Sequence, residues 1–167
     1  MTGLRAIETI WKNYRMRSRA EARWACFMDR AGIEWSYESE GYELDGARYL
    51  PDFYLPSQDC WLEVKGAKPD QQAIDKAMRL SKASSKQVYI ISGEVGPEYR
   101  LDSFWPRACV TYRWCMCLSC KMVGIANRGN AATLPCACFQ SDEYYVSDNW
   151  RKIADALLAA RQERFGT

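Results

Sequence analysis

Histidine is missing from all 167 residues. Because it is the usual general base near neutral pH and the commonest metal ligand, its absence excludes Ser-His-Asp and Cys-His nucleophilic sites, HNH-type centres and His-ligated zinc enzymes. Any catalysis must run on carboxylates, lysines or thiols. Long apolar runs are missing too. No window approaches the run of about 20 apolar residues that spans a bilayer, and the opening MTGLRAIETIWKNYR holds no apolar stretch of signal-peptide length. The expectation is a soluble, cytoplasmic protein with no membrane partner. An excess of one charge sign is also lacking. The 23 basic and 21 acidic residues leave a net charge of +2, too little to announce a nucleic-acid-binding protein, so only local clustering can argue for one.

What is present suits one globular domain with a small appendage, since 48% of the residues are hydrophobic and can furnish a core. Cysteine is plentiful: there are eight, and five of them fall between Cys115 and Cys138. In a reducing compartment such a cluster reads as metal ligands rather than as a disulfide framework.

The breakers between Gly93 and Pro106 mark the one candidate boundary. Ahead of it, the basic segment Arg15–Arg19 runs into a helix with apolar Trp24, Phe27, Met28 and Ala31 and a stop at Gly32. Three strand-like stretches follow, over 34–44, 47–55 and 60–67, with Asp45-Gly46 a hairpin signal between the first two and Pro56–Asp59 a turn before the third. A helix over about 70–82, with Ala73, Ile74, Ala77, Met78 and Leu80 on its apolar side, and a buried-type strand over 87–91 complete the order α-β-β-β-α-β. Behind the boundary lie the cysteines and a helix over about 149–164, capped by Ser147 or Asp148. Its apolar Trp150, Ile153, Ala154, Leu157 and Leu158 form a stripe that should dock on the body. The expected division is therefore a core over 1–95, a metal module over 107–146 and a docking helix over 147–167.

Strand alternation places Leu62 and Val64 on one face of their strand and Glu63 with Lys65 on the other. In Pro51–Leu55 the same rule opposes Phe53 and Leu55 to Asp52 and Tyr54. If the two strands pair through their turn, Asp52, Glu63 and Lys65 converge. Two carboxylates held close repel each other unless a cation lies between them, and hard oxygen ligands suit Mg²⁺ or Mn²⁺. A lysine one pleat away can orient a metal-bound water or steady charge developing on phosphate. Glu21 lies on the apolar side of the first helix and needs a partner there. It is either a third carboxylate of the same constellation or the acid of a capping box, Ser18-Arg-Ala-Glu21.

Glu21 on an early helix, Pro51-Asp52 and then Glu63-Val64-Lys65 on the next strand, in α-β-β-β-α-β order, resembles the PD-(D/E)XK nuclease superfamily. The stretch from Arg17 to Gly66 also resembles small proteins encoded by bacteriophages and prophages. The resemblance covers about residues 15–95. It implies a restriction-endonuclease-like core with a mixed central sheet and a divalent-metal phosphodiesterase acting on DNA in a bacterial cell. Asp52, Glu63 and the Val64 carbonyl would hold Mg²⁺ or Mn²⁺, Lys65 would stand at the attacking water, and Glu21 would be an additional or water-mediated ligand. A polar residue on the following helix, Gln71, Gln72 or Lys76, is a further candidate. Arg15, Arg17, Arg19 and Arg23 crowd the start of the helix that carries Glu21, and Lys68 follows Lys65, as contact with a DNA backbone requires. Trp11, Tyr14, Tyr42 and Tyr49 are candidates for stacking on bases.

Cys117-x-x-Cys120 and, after fifteen intervening residues, Cys136-x-Cys138 give two close thiol pairs, the arrangement that wraps one tetrahedral Zn²⁺. Cys115 is a fifth candidate able to replace Cys117, and an iron–sulfur cluster is the runner-up to structural zinc. Cys26, Cys60 and Cys109 read as packing residues. Arg113, Lys121 and Arg128 around the cluster are compatible with nucleic-acid contact. The expectation is thus a Mg²⁺-dependent DNA endonuclease with a structural zinc, acting as a homodimer or beside a recognition partner. The alternative is a catalytically silent module of the same fold that binds DNA or protein, such as a phage anti-defence protein.

Overall fold

The structure, a computed structural model, describes residues 6–103, 112–127, 134–140, 146–147 and 151–165. Cys109, Arg128, Asp148 and Trp150 lie outside the described residues.

The basic segment is preceded by, and partly built into, a hairpin of β1 (Thr9–Trp11) and β2 (Tyr14–Met16). Ser18 then caps α1 (Arg19–Ala31), its Oγ accepting the Glu21 N–H at 3.2 Å. Gly32 ends the helix at a left-handed φ of 74°, with its N–H on the Asp29 carbonyl and the Ile33 N–H on the Met28 carbonyl. Trp24, Phe27, Met28 and Ala31 are buried, as their spacing requires.

The first two strand-like stretches each break in two. β3 (Ser36–Tyr37) belongs to the main sheet, β4 (Tyr42–Leu44) and β5 (Ala47–Tyr49) form a hairpin of their own, and β6 (Phe53–Leu55) returns to the sheet. The hairpin turns on Asp45 and Gly46, both at positive φ, as a two-residue turn demands. It leaves the sheet because its Tyr42 and Tyr49 bury against Trp61 and the second helix, to which Asp45 is also tied by an ion pair with Arg79. One turn of 3-10 helix, Pro56–Gln58, leads into β7 (Cys60–Lys65). After it come α2 (Gln71–Ser84), capped by Asp70, and β8 (Gln87–Ser92).

The segment expected as a boundary instead supplies β9 (Arg100–Ser103), so the sheet runs to Ser103. Val95, Tyr99 and Leu101 enter the same core as α1, which is why the glycines and prolines there punctuate a connection and do not separate two bodies. The five strands lie in the order β3-β6-β7-β8-β9, with β7 and β8 parallel and the other pairs antiparallel. The architecture is mixed α/β with a mixed sheet, and α1, β3, β6, β7, α2 and β8 follow the α-β-β-β-α-β order.

Beyond the sheet, β10 (Tyr112–Cys117) pairs with β11 (Val123–Asn127) on one side and with β12 (Val146–Ser147) on the other. The chain closes with α3 (Arg151–Gln162), the third helix among the described residues. Trp114, Met116, Val123 and Ile125 share one core with α1, α3 and one face of the sheet, while Trp61, Val88 and Ile90 on the other face pack under Ala77 and Leu80 of α2. The buried stripe of α3 is Ile153, Ala156, Leu157 and Ala160, whereas Leu158 is 54% exposed and Ala154 is also outside. Small alanines at the contact let α3 approach α1 closely, and that proximity outweighs the greater hydrophobicity of Leu158. On α2, Ala77, Leu80 and Ser81 are buried and Met78 is exposed, a stripe rotated from the expected one because α2 covers β8 with its small residues. No helix among the described residues is long and apolar enough to cross a membrane.

Candidate functional site

β6 and β7 pair antiparallel with Phe53 opposite Leu62, so the pairing stops just before Asp52 and Glu63. Beyond that point the Asp52 side chain takes over the ladder: its Oδ2 accepts the Val64 N–H at 2.8 Å. On the other edge of β7 the Lys65 carbonyl accepts the Gly93 N–H, so alternation turns the Val64 carbonyl toward Asp52. Glu63 follows Trp61 on the α2 face of the sheet, and its Oε2 accepts from Lys65 Nζ at 3.1 Å. Asp52, Glu63 and Lys65 line one cleft of about 320 Å³, together with Arg17, Tyr49, Gln72 and Lys76. The structure thus selects Gln72 and Lys76 from the α2 candidates and leaves Gln71 outside, bonded to Asp75.

The cleft buries two acids side by side. Asp52 and Glu63 are only 6% and 3% exposed, and Glu63 Oε1 is buried without a hydrogen-bond partner. Burial first, and then the charge of Glu63, push the Asp52 carboxyl up to about 8. Burial works to lower the Lys65 ammonium, but the charges of Glu63 and Asp52 outweigh it and raise the group. Lys65 is therefore a cation at neutral pH and a donor, not a base. The Tyr49 phenol is raised by burial and then by Glu63, and so stays neutral. A buried carboxylate oxygen with no partner, facing a second acid that resists ionisation, is a donor set that could hold a hard divalent cation.

Glu21 does not line the cleft. Its Oε1 accepts from Ser18 Oγ at 2.7 Å, and its Oε2 accepts from Tyr37 Oη at 2.6 Å and from the Arg17 N–H at 3.1 Å. The Ser18 half of the capping box is thus formed, while the Glu21 carboxylate takes the Arg17 N–H in place of the Ser18 N–H, and its charge still reaches Asp52 and Lys65. Among the basic candidates, Arg17 stands at the cleft, paired with Glu38 and donating to the Leu50 carbonyl at 3.2 Å. Arg15 is exposed and paired with Glu8, Arg19 and Lys68 are exposed, and Arg23 is half-buried with its Nε unpartnered. Of the aromatic candidates only Tyr49 reaches the cleft. Tyr42 packs on Trp61, Tyr14 on Trp35 and Tyr37, and Trp11 donates to Asp29.

The ligand atoms of Cys117, Cys120, Cys136 and Cys138 all lie within 4.8 Å of one another, a cluster that could hold one metal ion. Sulfurs tetrahedral about zinc stand roughly 3.8 Å apart, so the set is compatible with it. β10 ends on Cys117, and the turn to β11 closes with the Lys121 N–H on the Cys117 carbonyl. Burial works to raise the Cys117 thiol, but the backbone N–H groups of Cys120 and Ser119 prevail and lower it to about 7. Burial and the neighbouring thiols push Cys136 up to about 12 and raise Cys138. Cys115 is not part of the cluster and is buried beside Ala126 and Leu134, and Cys26 and Cys60 are buried as expected.

One contact joins the two regions and was not legible in the sequence. The Gln58 side chain donates to the Ile125 carbonyl at 2.8 Å and accepts the Ile125 N–H at 2.6 Å, completing the open edge of β11. A β-carbon at Gly124 would come within 2.6 Å of Gln58 Oε1, so any other residue there displaces the Gln58 amide from its bonds to Ile125. The available signal is a lone glycine inside a strand, which marks a close approach without naming the partner. No family model matches the chain, and comparison with curated proteins and with solved structures gives no match.

Proposed function

We propose that the protein is a Mg²⁺- or Mn²⁺-dependent nuclease of restriction-endonuclease-like fold that hydrolyses DNA phosphodiester bonds. The observation that carries this reading is the buried, unpartnered Glu63 Oε1 beside the Asp52 carboxyl and one pleat from Lys65. Asp52, Glu63 and the Val64 carbonyl are the groups that would hold the cation. When bound, it would supply a water acidic enough to attack phosphorus and a positive centre for the non-bridging and leaving oxygens. Lys65, protonated and anchored on Glu63, orients the attacking water by donating to it and offsets charge that builds on phosphate. Arg17 and Lys76 at the cleft offer cationic contacts to the neighbouring backbone, with Gln72 as a neutral donor.

The four thiols of Cys117, Cys120, Cys136 and Cys138 hold zinc in a structural role, because all four coordination positions are filled by protein. The setting is the reducing cytoplasm of a bacterial cell, in a chain of phage or prophage type. In this reading, recognition belongs to a second copy or a partner protein. A screen of purified protein on duplex, single-stranded and branched DNA and on RNA, with Mg²⁺ and with Mn²⁺, tests the proposal. Metal-dependent cleavage that is lost in Glu63→Ala and Lys65→Ala is expected. Cleavage that survives both substitutions overturns the mechanism, and DNA binding without cleavage assigns the chain to the silent-module class.

A further inference from the structure

We propose that the Tyr49 hydroxyl is a positioning group for Glu63, fixing that carboxylate in the orientation in which it meets a divalent cation. The inference rests on the reading of Asp52 and Glu63 as a cation site. Tyr49 ends β5, opposite Tyr42 on β4, and its ring joins the cluster of Trp61, Ala77 and Leu80 beneath α2. The hairpin that carries it is tied down at several points: Asp45 pairs with Arg79, Tyr42 meets Trp61 edge to face at 5.7 Å, and the Leu50 carbonyl accepts from Arg17. The ring is thus held by a different element from the strands that carry the acids, and it lines their cleft.

Tyr49 and Glu63 line the same cleft, and the Glu63 charge acts on the phenol. Glu63 Oε2 is already held by Lys65, while Oε1 is buried without a hydrogen-bond partner. A carboxylate held at one oxygen by a flexible lysine can still swing, and a second donor on a rigid support removes that freedom. Phenol suits the task because it donates one proton, stays neutral beside two acids and adds no charge that would compete with the cation. Metal-binding carboxylates are commonly hydrogen-bonded in this way, and losing such a partner weakens metal binding by about 10–100-fold.

Tyr49→Phe removes the hydroxyl and keeps the ring. Mn²⁺ binding to the full, zinc-loaded chain, followed by calorimetry for the parent, Tyr49→Phe and Glu63→Gln, separates the possibilities. The expected result is a site that Glu63→Gln abolishes and that Tyr49→Phe weakens by about 10-fold, with the melting temperature of the Mn²⁺-free protein unchanged by Tyr49→Phe. Equal affinity in the parent and Tyr49→Phe, at a site that still depends on Glu63, overturns the role of Tyr49 and leaves the cation site standing. A fall in melting temperature with unaltered affinity assigns Tyr49 to packing alone and overturns the proposal equally. Absence of any Glu63-dependent Mn²⁺ binding in the parent overturns the cation site itself.

Discussion

The acid cleft and the thiol cluster solve one problem, bringing like groups together, by opposite means. Asp52 and Glu63 are held by neighbouring strands, buried and aimed across a register that ends beneath them, so burial and the charge of Glu63 make Asp52 harder to ionise and raise it to about 8. Cys117 sits at a turn, where the backbone N–H groups of Cys120 and Ser119 point at its sulfur and lower it to about 7. The backbone at the thiol turn therefore stabilises negative charge before any metal arrives. At the acid site only a cation or a proton can relieve the repulsion. The thiol arrangement suits a metal that stays, and the acid cleft, under the proposed function, suits one that exchanges.

The largest effect is expected at the thiols. Structural zinc contributes on the order of 10 kcal/mol of folding free energy in small modules, and here the knuckle lies on β10, whose Trp114 and Met116 are fully buried in the main core. If the cluster holds zinc as proposed, Cys117→Ser together with Cys120→Ser should abolish metal binding there and lower the melting temperature of the whole chain, not only of its second half. Metal analysis paired with a calorimetric scan checks this. A two-step melt in which the first half keeps its parental midpoint would contradict the shared core.

Next is the joint between the regions. Gln58→Ala leaves the Ile125 N–H and carbonyl without partners, and Gly124→Ala forces a β-carbon onto the Gln58 amide. Each should cost about 1–3 kcal/mol. Because the two changes act on one contact, the double variant should cost clearly less than their sum. Chemical denaturation of the three variants measures the shortfall, and strict additivity would show that the contact is not shared.

Asp52 gives a smaller effect whose sign depends on pH. Its folded value is raised from the ordinary 3.8 to about 8, so the folded state binds the extra proton. Its stability contribution is greatest below pH 4 and is lost as pH rises through about 8. Asp52→Asn can still accept the Val64 N–H but carries no charge. Without divalent metal it should be the more stable protein at pH 8 and the less pH-dependent one between pH 5 and 8, gaining roughly 2–4 °C for each kcal/mol of repulsion relieved. With Mg²⁺ the gain should shrink, because the parent then gains a ligand that the variant binds poorly. A parent no less stable at pH 8 than at pH 5 without metal would remove the contrast drawn between the two sites.

How much of each region could be read in advance follows from the same difference. Period-two alternation placed Asp52, Glu63 and Lys65 together, because a strand's geometry is local and its faces are set by its own residues. The thiol spacing was equally local. The turn of hairpin β4–β5 was legible at Asp45-Gly46, but its departure from the main sheet was not, since whether an aromatic pair such as Tyr42 and Tyr49 continues a sheet or turns under a helix depends on Trp61 and Leu80, more than ten residues away in the chain. β9 was hidden for a related reason: glycine and proline in 93–97 signal a break, but the burial of Tyr99 and Leu101 is decided by α1 and the sheet. On α3, alanine and leucine exchanged places because helix proximity is a property of two helices and cannot be read from one.

Glu21 is where the smallest effect settles most. As a cap, its carboxylate collects the Ser18 hydroxyl, the Tyr37 hydroxyl and the Arg17 N–H. As a third acid of the cleft, it should tune cation binding. Ser18→Ala removes the N-cap oxygen and one of the three donors, and should cost about 1 kcal/mol while leaving the Glu21 charge in place. Glu21→Gln keeps an accepting oxygen for the Tyr37 hydroxyl and the Arg17 N–H, can turn its amide NH2 to Ser18 Oγ, and takes away the charge that reaches Asp52 and Lys65. If Glu21 serves the helix alone, Ser18→Ala lowers the melting temperature and neither variant changes Mn²⁺ affinity. If it also serves the cleft, Glu21→Gln weakens Mn²⁺ binding several-fold at nearly parental stability, and the acid site then draws on α1 as well as on its two strands.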